Sequence, residues 1–129
     1  MAQCSSPRRR RALIVEDELM IALDLEDAMS ALGFDICGLA STADTARSIA
    51  LDNQPDVVLM DVNLGGGREG IEAARWLREV CEVPIVFVTA HSDTGTIERI
   101  HEQVPGAPVL AKPVYPKILA DAVAAVTRH

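Results

Sequence analysis

Polar residues able to bind a cation or attack a phosphorus atom stand directly after four short apolar segments of the sequence. Glu16 and Asp17 follow ALIV, Asp61 follows VVLM, Thr89 follows IVFV and Lys112 follows VLA. Short β-branched apolar segments are typical of strands that are buried on both faces of a sheet. The pattern therefore predicts that an acidic pair, a single aspartate, a hydroxyl and an ammonium each stand at the carboxyl end of a strand.

Carboxylates that gather at one rim of a sheet need positive charge among them. Three carboxylates within about 4 Å of one another repel by several kcal/mol per pair at an effective dielectric constant of about 20. Lys112 supplies one positive charge, and a divalent cation is the natural second. Carboxylate oxygens suit Mg²⁺, whereas zinc favours histidine or cysteine. Such a site favours transfer of a phosphoryl group to a carboxylate nucleophile.

Helix patterns fill the intervals between the apolar segments. The first predicted helix runs from Glu18 to Leu32 with apolar residues on one face, and Gly33 ends it. The second opens at Ser41, which forms a capping-box pattern with Asp44, and extends to about residue 51. The other helices are predicted from Ile71 to Val80, from Ser92 or Asp93 to Val104, and from Pro116 onward. Strands are predicted at residues 12–15, 34–39, 57–60, 85–88 and 109–111.

This alternation predicts the fold class. Uninterrupted apolar strands joined by helices imply a parallel sheet with right-handed crossovers and helices on both faces. The expected fold is α/β, a flavodoxin-like doubly wound five-stranded parallel sheet with five helices, (βα)5. In such a sheet a ligand site lies outside the carboxyl ends of the strands, where the strand order reverses. The polar residues of the strand ends are thereby expected to share one rim.

Composition restricts the class of protein. A chain of 129 residues with 49% hydrophobic residues predicts one domain. Aromatic residues make up 3% of the chain, too few for base-stacking platforms. The three cysteines lack the spacing of a zinc site or of a disulfide framework. No apolar stretch approaches the roughly 20 residues of a membrane span, so we expect a cytoplasmic protein without membrane insertion.

Charge is distributed unevenly along the chain. It has 12 basic and 19 acidic residues, and the first eleven residues contain four arginines and no acid. Residues 12–129 therefore carry 8 basic against 19 acidic residues. A body this acidic disfavours direct contact with nucleic acid. Residues 1–11 are polar and aperiodic, and we predict that they form a disordered basic tail.

These features together resemble the receiver domain of two-component response regulators. The matching motifs are the acidic pair in VEDE, the aspartate in LMDVNL, the hydroxyl in VTA and the lysine in AKP, in that order along the chain. No single motif is specific, but each stands at the end of its own predicted strand. The resemblance implies a receiver domain over residues 12–129.

The resemblance also implies a role for each residue of the site. Asp61 would accept a phosphoryl group from a phosphohistidine of a histidine kinase or histidine phosphotransfer protein. Glu16 and Asp17 would hold Mg²⁺ together with Asp61 and the backbone carbonyl of Asn63. Lys112, followed by a cis proline, would pair with a phosphoryl oxygen, and Thr89 would turn its hydroxyl toward the phosphoryl group. The protein would signal to a downstream target protein through conformational change, or act as a phosphate shuttle or sink. It would be no enzyme beyond its own phosphorylation and dephosphorylation.

The sequence departs from the family pattern at two places. Val109 stands where many receivers have a switching Tyr or Phe, and Tyr115 is either a substitute or a partly buried residue in the first turn of the last helix. Gly65, Gly66 and Gly67 replace the usual Met-Pro and predict a mobile loop. His91 and Asn63 flank the expected path of the attacking water in the family. His91 is either a group that positions this water or an exposed loop histidine.

Other interpretations of the same residues stay open. Asp61 and Thr89 could bond locally in turns, Glu16 and Asp17 could complement a helix dipole, and Lys112 could be a surface lysine. An Asp-nucleophile phosphohydrolase of the haloacid dehalogenase type usually has a second acid where this chain has Asn63. A pseudo-receiver that binds a partner without taking phosphate usually lacks a site residue. No output domain follows the last predicted helix, which favours a stand-alone regulator or a fragment of a longer one.

Overall fold

The computed structural model describes residues 9–64, 69–90 and 94–127. Strands and helices alternate without exception through these ranges. The strands are β1 (Arg11–Val15), β2 (Asp35–Ala40), β3 (Val57–Asp61), β4 (Ile85–Thr89) and β5 (Val109–Ala111). The helices are α1 (Leu19–Ala31), α2 (Ala43–Asn53), α3 (Glu69–Cys81), α4 (Thr94–Gln103) and α5 (Pro116–Thr127).

The five strands form one parallel sheet in the order β2-β1-β3-β4-β5. This is the predicted doubly wound arrangement, and it is confirmed. The order reverses between β1 and β3, so their carboxyl ends border the crevice in which such sheets bind ligands. At that end Val15 pairs with Met60, Asp61 with Val88, and Thr89 with Ala111. The register therefore brings the predicted polar strand ends to one rim.

Two apolar layers hold the sheet between its helices. Alternate residues of the strands point to opposite faces, so Leu13 and Val15 lie in one layer while Ala12 and Ile14 lie in the other. The first layer contains buried residues of α2, α3 and α4, and the second contains buried residues of α1 and α5. Burial on both faces explains why β1, β3 and β4 appear in the sequence as unbroken apolar segments.

Local backbone geometry and hydrogen bonding determine where α1 ends and where α2 begins. Gly33 has a φ of +96°, which suits the residue just after the end of α1. The N-cap of α2 is Thr42, whose hydroxyl accepts a hydrogen bond from the Thr45 amide at 3.1 Å. The prediction that Ser41 opens this helix is wrong, because Thr42 is the extended residue from which the helix starts. The helix also continues past the predicted end to Asn53.

Arg9, Arg10 and Arg11, at the end of the predicted tail, lead directly into the sheet, because Arg11 is the first residue of β1. Residues 1–8 lie outside the described residues. Arg9 lies 3.4 Å from Asp35, and Arg11, the first residue of β1, donates to the Asn53 carbonyl at 2.9 Å. The strand thus begins one residue before the predicted boundary at Ala12. Within the three described ranges, no helix is long and apolar enough to span a bilayer.

Candidate functional site

Three carboxylates meet at the rim where the strand order reverses. Glu16 and Asp17 follow β1 directly, and Asp61 is the last residue of β3. One carboxylate oxygen from each lies within 4.8 Å of the others. Glu16 and Asp61 are buried, each with 4% of its surface exposed, whereas Asp17 is exposed to solvent. The sheet therefore brings together the acidic residues that the sequence analysis selected.

Lys112 inserts its ammonium among these carboxylates. Its Nζ lies 2.8 Å from Glu16 Oε1 and 3.5 Å from Asp61 Oδ1. Its backbone amide donates to the Thr89 carbonyl at 2.9 Å, and the Lys112–Pro113 peptide bond is cis. Burial acts to lower the pKa of Lys112, but the hydrogen bond to Glu16 and the charges of Asp61, Glu16 and Glu18 raise it above its ordinary value. Lys112 is therefore a charged partner of the acidic cluster.

Asp61 has a strongly perturbed acidity. Burial, followed by the charge of Glu16, raises the pKa of Asp61 from 3.8 to about 6, although Lys112 and the Asn63 amide act in the opposite direction. That amide donates to Asp61 Oδ1 at 3.2 Å. A perturbed acid at the carboxyl end of a buried strand is a candidate functional group. A cation placed beside it would favour the ionised form.

Backbone contacts hold the acidic pair in place. The Glu16 amide donates to the Ala40 carbonyl of β2 at 2.9 Å, and Glu16 Oε2 accepts a hydrogen bond from the Glu18 amide at 3.2 Å. The other carboxylate oxygen of Glu16, Oε1, forms the ion pair with Lys112. Sequence reasoning did not identify these contacts, because they depend on where the turn after β1 returns toward α1.

The donor set suits a hard divalent cation. The site offers carboxylate oxygens from Glu16, Asp17 and Asp61, with Asn63, two residues after Asp61, as a source of a carbonyl oxygen. Three carboxylates against one ammonium leave the cluster negatively charged when all are ionised. Oxygen ligands of this kind are those that Mg²⁺ prefers. The residues present therefore fit a magnesium ion.

Thr89 ends β4 on the next strand. Its side chain is completely buried, and it pairs with Ala111 of β5, the residue before Lys112. Because Asp61 pairs with Val88, Thr89 lies one residue further along the rim than the aspartate. A cavity of about 380 Å³ opens beside Lys112, between α1 and residues 113–114, with Ile21 and Ala90 in its wall. Sequence reasoning missed this cavity.

Val109, at the position of the family's aromatic switch, and Tyr115, the candidate substitute, differ in their burial. Val109 is partly buried and packs against the layer of α2, α3 and α4. Tyr115 lies just before α5, with 63% of its surface exposed, and its carbonyl accepts from the Leu119 amide at 3.0 Å. The prediction of a partly buried tyrosine in the first turn of α5 is therefore wrong.

Two further predictions concern parts of the chain that lie outside the described residues. They are the mobile loop at Gly65, Gly66 and Gly67 and the water-positioning role of His91. The same holds for Ser92 or Asp93 as the cap of α4. Asn63, the other residue expected to flank the water path, is half-buried next to Asp61.

The chain is similar to one protein family and to curated regulatory proteins. The response regulator receiver domain family matches residues 12–124. The phyllosphere-induced regulator PhyR of Methylorubrum extorquens is 37% identical over 108 residues, which are 81% of this chain and 38% of that protein. The transcriptional regulatory protein PdtaR of Mycobacterium tuberculosis is 35% identical over 117 residues, 91% of this chain and 55% of that protein. The chain thus spans about half or less of the length of these curated relatives.

Solved structures agree with the fold. The signal receiver domain of a modulated diguanylate cyclase from Desulfovibrio desulfuricans G20 superposes with a TM-score of 0.82 at 33% identity, covering 91% of this chain and 92% of that one. The receiver domain of PhyR from Erythrobacter litoralis gives a TM-score of 0.78 at 28% identity, with coverage of 91% and 88%.

Proposed function

The chain belongs to the response regulator receiver domain family, and from this membership we propose that it accepts a phosphoryl group on Asp61 from a histidine kinase or a histidine phosphotransfer protein. The observation that carries the proposal is the position of Asp61. It is a buried carboxylate at the end of β3, bordered by an acidic pair and by Lys112 Nζ at 3.5 Å. This combines a nucleophile, a cation site and a fixed ammonium.

In the proposed transfer step, Asp61 attacks the phosphorus atom of the phosphohistidine on the donor protein. A carboxylate oxygen of Asp61 forms a bond to phosphorus, and the P–N bond to the donor histidine breaks, with its electron pair leaving on the imidazole nitrogen. Lys112 Nζ lies close enough to Asp61 to pair with an oxygen of the transferred group. We assign Thr89, at the next strand end, to bind another phosphoryl oxygen through its hydroxyl.

We assign the metal site to Mg²⁺ held by Glu16, Asp17, Asp61 and the backbone carbonyl of Asn63. When bound, Mg²⁺ would neutralise charge on the phosphoryl oxygens and orient them for attack. The three carboxylates support this assignment because their oxygens lie within 4.8 Å of one another. Glu16 would exchange its contact with Lys112 or with the Glu18 amide in order to act as a ligand.

The proposed role is regulatory. The protein would pass on its phosphorylation state to a downstream target protein through conformational change, or act as a phosphate shuttle or sink, with no reaction beyond its own phosphorylation and dephosphorylation. We propose a receiver domain that starts with Arg11, the first residue of β1, and a basic tail at residues 1–10. The proposed location is the cytoplasm. We propose no direct contact with nucleic acid, because residues 12–129 hold 8 basic against 19 acidic residues.

A phosphoryl mimic tests the proposal without a known kinase. Thermal unfolding is measured with Mg²⁺ alone and with Mg²⁺ plus BeF₃⁻, which occupies the position of a phosphoryl group on an aspartate. We expect BeF₃⁻ to raise the Tm of the wild type by about 5 °C or more. Asp61→Asn and a sample with chelated metal should show no rise. A wild type that gives no response would favour the pseudo-receiver, a module that binds a partner without phosphorylation.

A further inference from the structure

Gly70, in the first turn of α3, touches the backbone that carries Asp61. A Cβ atom built on Gly70 would overlap the carbonyl oxygen of Asp61 and lie 2.8 Å from the carbonyl oxygen of Val62. Both obstacles are backbone atoms, so no side-chain rotation would relieve the clash. Any residue other than glycine therefore forces α3 and the end of β3 apart.

Helix formation does not explain a glycine at this position. Glycine inside a helix is about 0.5 to 1 kcal/mol less favourable than alanine. Gly70 is buried, and its φ lies outside the left-handed region, where glycine would be needed for its backbone freedom. Close approach to the β3 carbonyls is the remaining requirement that this glycine meets.

Other contacts hold both α3 and the end of β3 in place. The helix that carries Gly70 buries Ile71, Ala73, Ala74 and Leu77 in the layer below it. On the other side, the Val62 amide donates to the Val88 carbonyl of β4 at 3.3 Å. The backbone from Asp61 to Val62 is thus held between β4 and α3, and the next residue is Asn63.

We propose that Gly70 is a positioning residue for the metal and phosphoryl site. By allowing α3 to press on the carbonyls of Asp61 and Val62, it fixes the direction of the Asp61 carboxylate relative to the carbonyl oxygen of Asn63. This inference rests on the proposed function, since those two groups matter as ligands only if the site binds Mg²⁺. A Cβ at position 70 displaces both ligands together.

The test compares Gly70→Ala with Gly38→Ala. A Cβ at Gly38 would also be crowded, at 2.8 Å from Ile49 Cδ1, but that atom is the end of a flexible side chain packed against β2. The readout is the Mg²⁺ dissociation constant from calorimetric titration, at a temperature where circular dichroism shows all variants folded. We expect Gly70→Ala to bind Mg²⁺ about tenfold or more weakly, the range found for groups that orient metal ligands. Gly38→Ala should stay within about twofold of the wild type.

The outcomes separate the two claims. A wild type that binds no Mg²⁺ would overturn the proposed function and this inference together. A wild type that binds Mg²⁺, with a folded Gly70→Ala of equal affinity, would overturn the inference and leave the proposed function standing. If Gly70→Ala does not fold, amide hydrogen exchange of the wild type decides. Mg²⁺ should then slow exchange in residues 70–74 more than in α2, and equal exchange rates with and without Mg²⁺ at residues 70–74 would refute the role of Gly70.

Discussion

The ammonium of Lys112 lies 2.8 Å from a carboxylate oxygen of Glu16, closer than the 3.5 Å that separate it from Asp61. Glu16 thus holds the lysine at the rim, while its own negative charge makes Asp61 harder to ionise. The Glu16 side chain therefore affects both the position of Lys112 and the pKa of Asp61.

Removal of the Glu16 charge should make Asp61 a stronger acid. In Glu16→Gln the repulsion between two carboxylates disappears, and Lys112 is released to pair with Asp61. The pKa of Asp61 in the metal-free protein is expected to fall below its value of about 6. Carboxyl carbon chemical shifts followed by NMR across pH measure this value. Asp24→Asn, a change at an exposed acid of α1, serves as the control and should leave the pKa of Asp61 in place. An unchanged or higher pKa in Glu16→Gln would contradict the pairing.

Loss of Lys112 should destabilise the metal-free fold. Its side chain is 11% exposed and that of Glu16 is fully buried, so Lys112→Ala leaves buried carboxylates without their cation. We expect a loss of about 3 kcal/mol in the free energy of unfolding, measured with urea in the presence of a chelator. Lys117→Ala removes a lysine of the exposed Lys117–Asp121 pair and should cost about 0.5 kcal/mol or less. Similar losses in the two variants would refute a structural role for the buried pair.

The raised pKa of Asp61 sets the pH dependence of stability. A carboxyl whose pKa is raised from 3.8 to about 6 on folding contributes stability in its protonated form, and this contribution is lost as the pH rises through about 6. Asp61→Asn removes the ionisable group. Without metal at pH 7 the variant should therefore be more stable than the wild type by about 1 to 3 kcal/mol.

Urea denaturation of both proteins at pH 5 and pH 7 measures this difference. The advantage of Asp61→Asn should shrink toward pH 5, where the wild-type carboxyl is largely protonated. Saturating Mg²⁺ at pH 7 should reduce or reverse it, because a cation stabilises the ionised carboxylate. An advantage that grows as the pH falls would show that Asp61 is not the titrating group.

The cap of α2 allows a test within the fold itself. Thr42 accepts the Thr45 amide at 3.1 Å, so Thr42→Ala should lower the free energy of unfolding by about 1 kcal/mol. Ser41→Ala, one residue earlier and also exposed, should change it by less than about 0.5 kcal/mol. Denaturant titration of the two variants measures both values. The opposite ranking would restore Ser41 as the cap.

One kind of signal, polar residues at the ends of apolar strands, predicted the fold, which is confirmed, and selected the candidate site residues. The rule that parallel strands end at a common edge then determines which side chains are neighbours, and it brought Asp61 close to Glu16 and Asp17. The limits of β1, β3 and β4 were predicted to within one residue, because burial on both faces gives unbroken apolar segments.

Other features depend on tertiary contacts that a pattern does not encode. Ser41 and Thr42 both have a hydroxyl three residues before a polar residue, and the backbone direction after β2 decides which one caps the helix. Tyr115 is exposed, and the sequence does not show in which direction an aromatic side chain just before a helix will point. Gly70 was not selected, since its contact with the Asp61 carbonyl joins the start of α3 to the end of β3.

The proposed function requires that Asp61 takes a phosphoryl group with the help of a divalent cation. Intact mass spectrometry after incubation with acetyl phosphate and Mg²⁺ tests it most directly, beside Asp61→Asn and a chelated sample. We expect a gain of about 80 Da, the mass of one phosphoryl group, that requires both Asp61 and the metal. An unmodified wild type, or a gain that persists in Asp61→Asn, would contradict it.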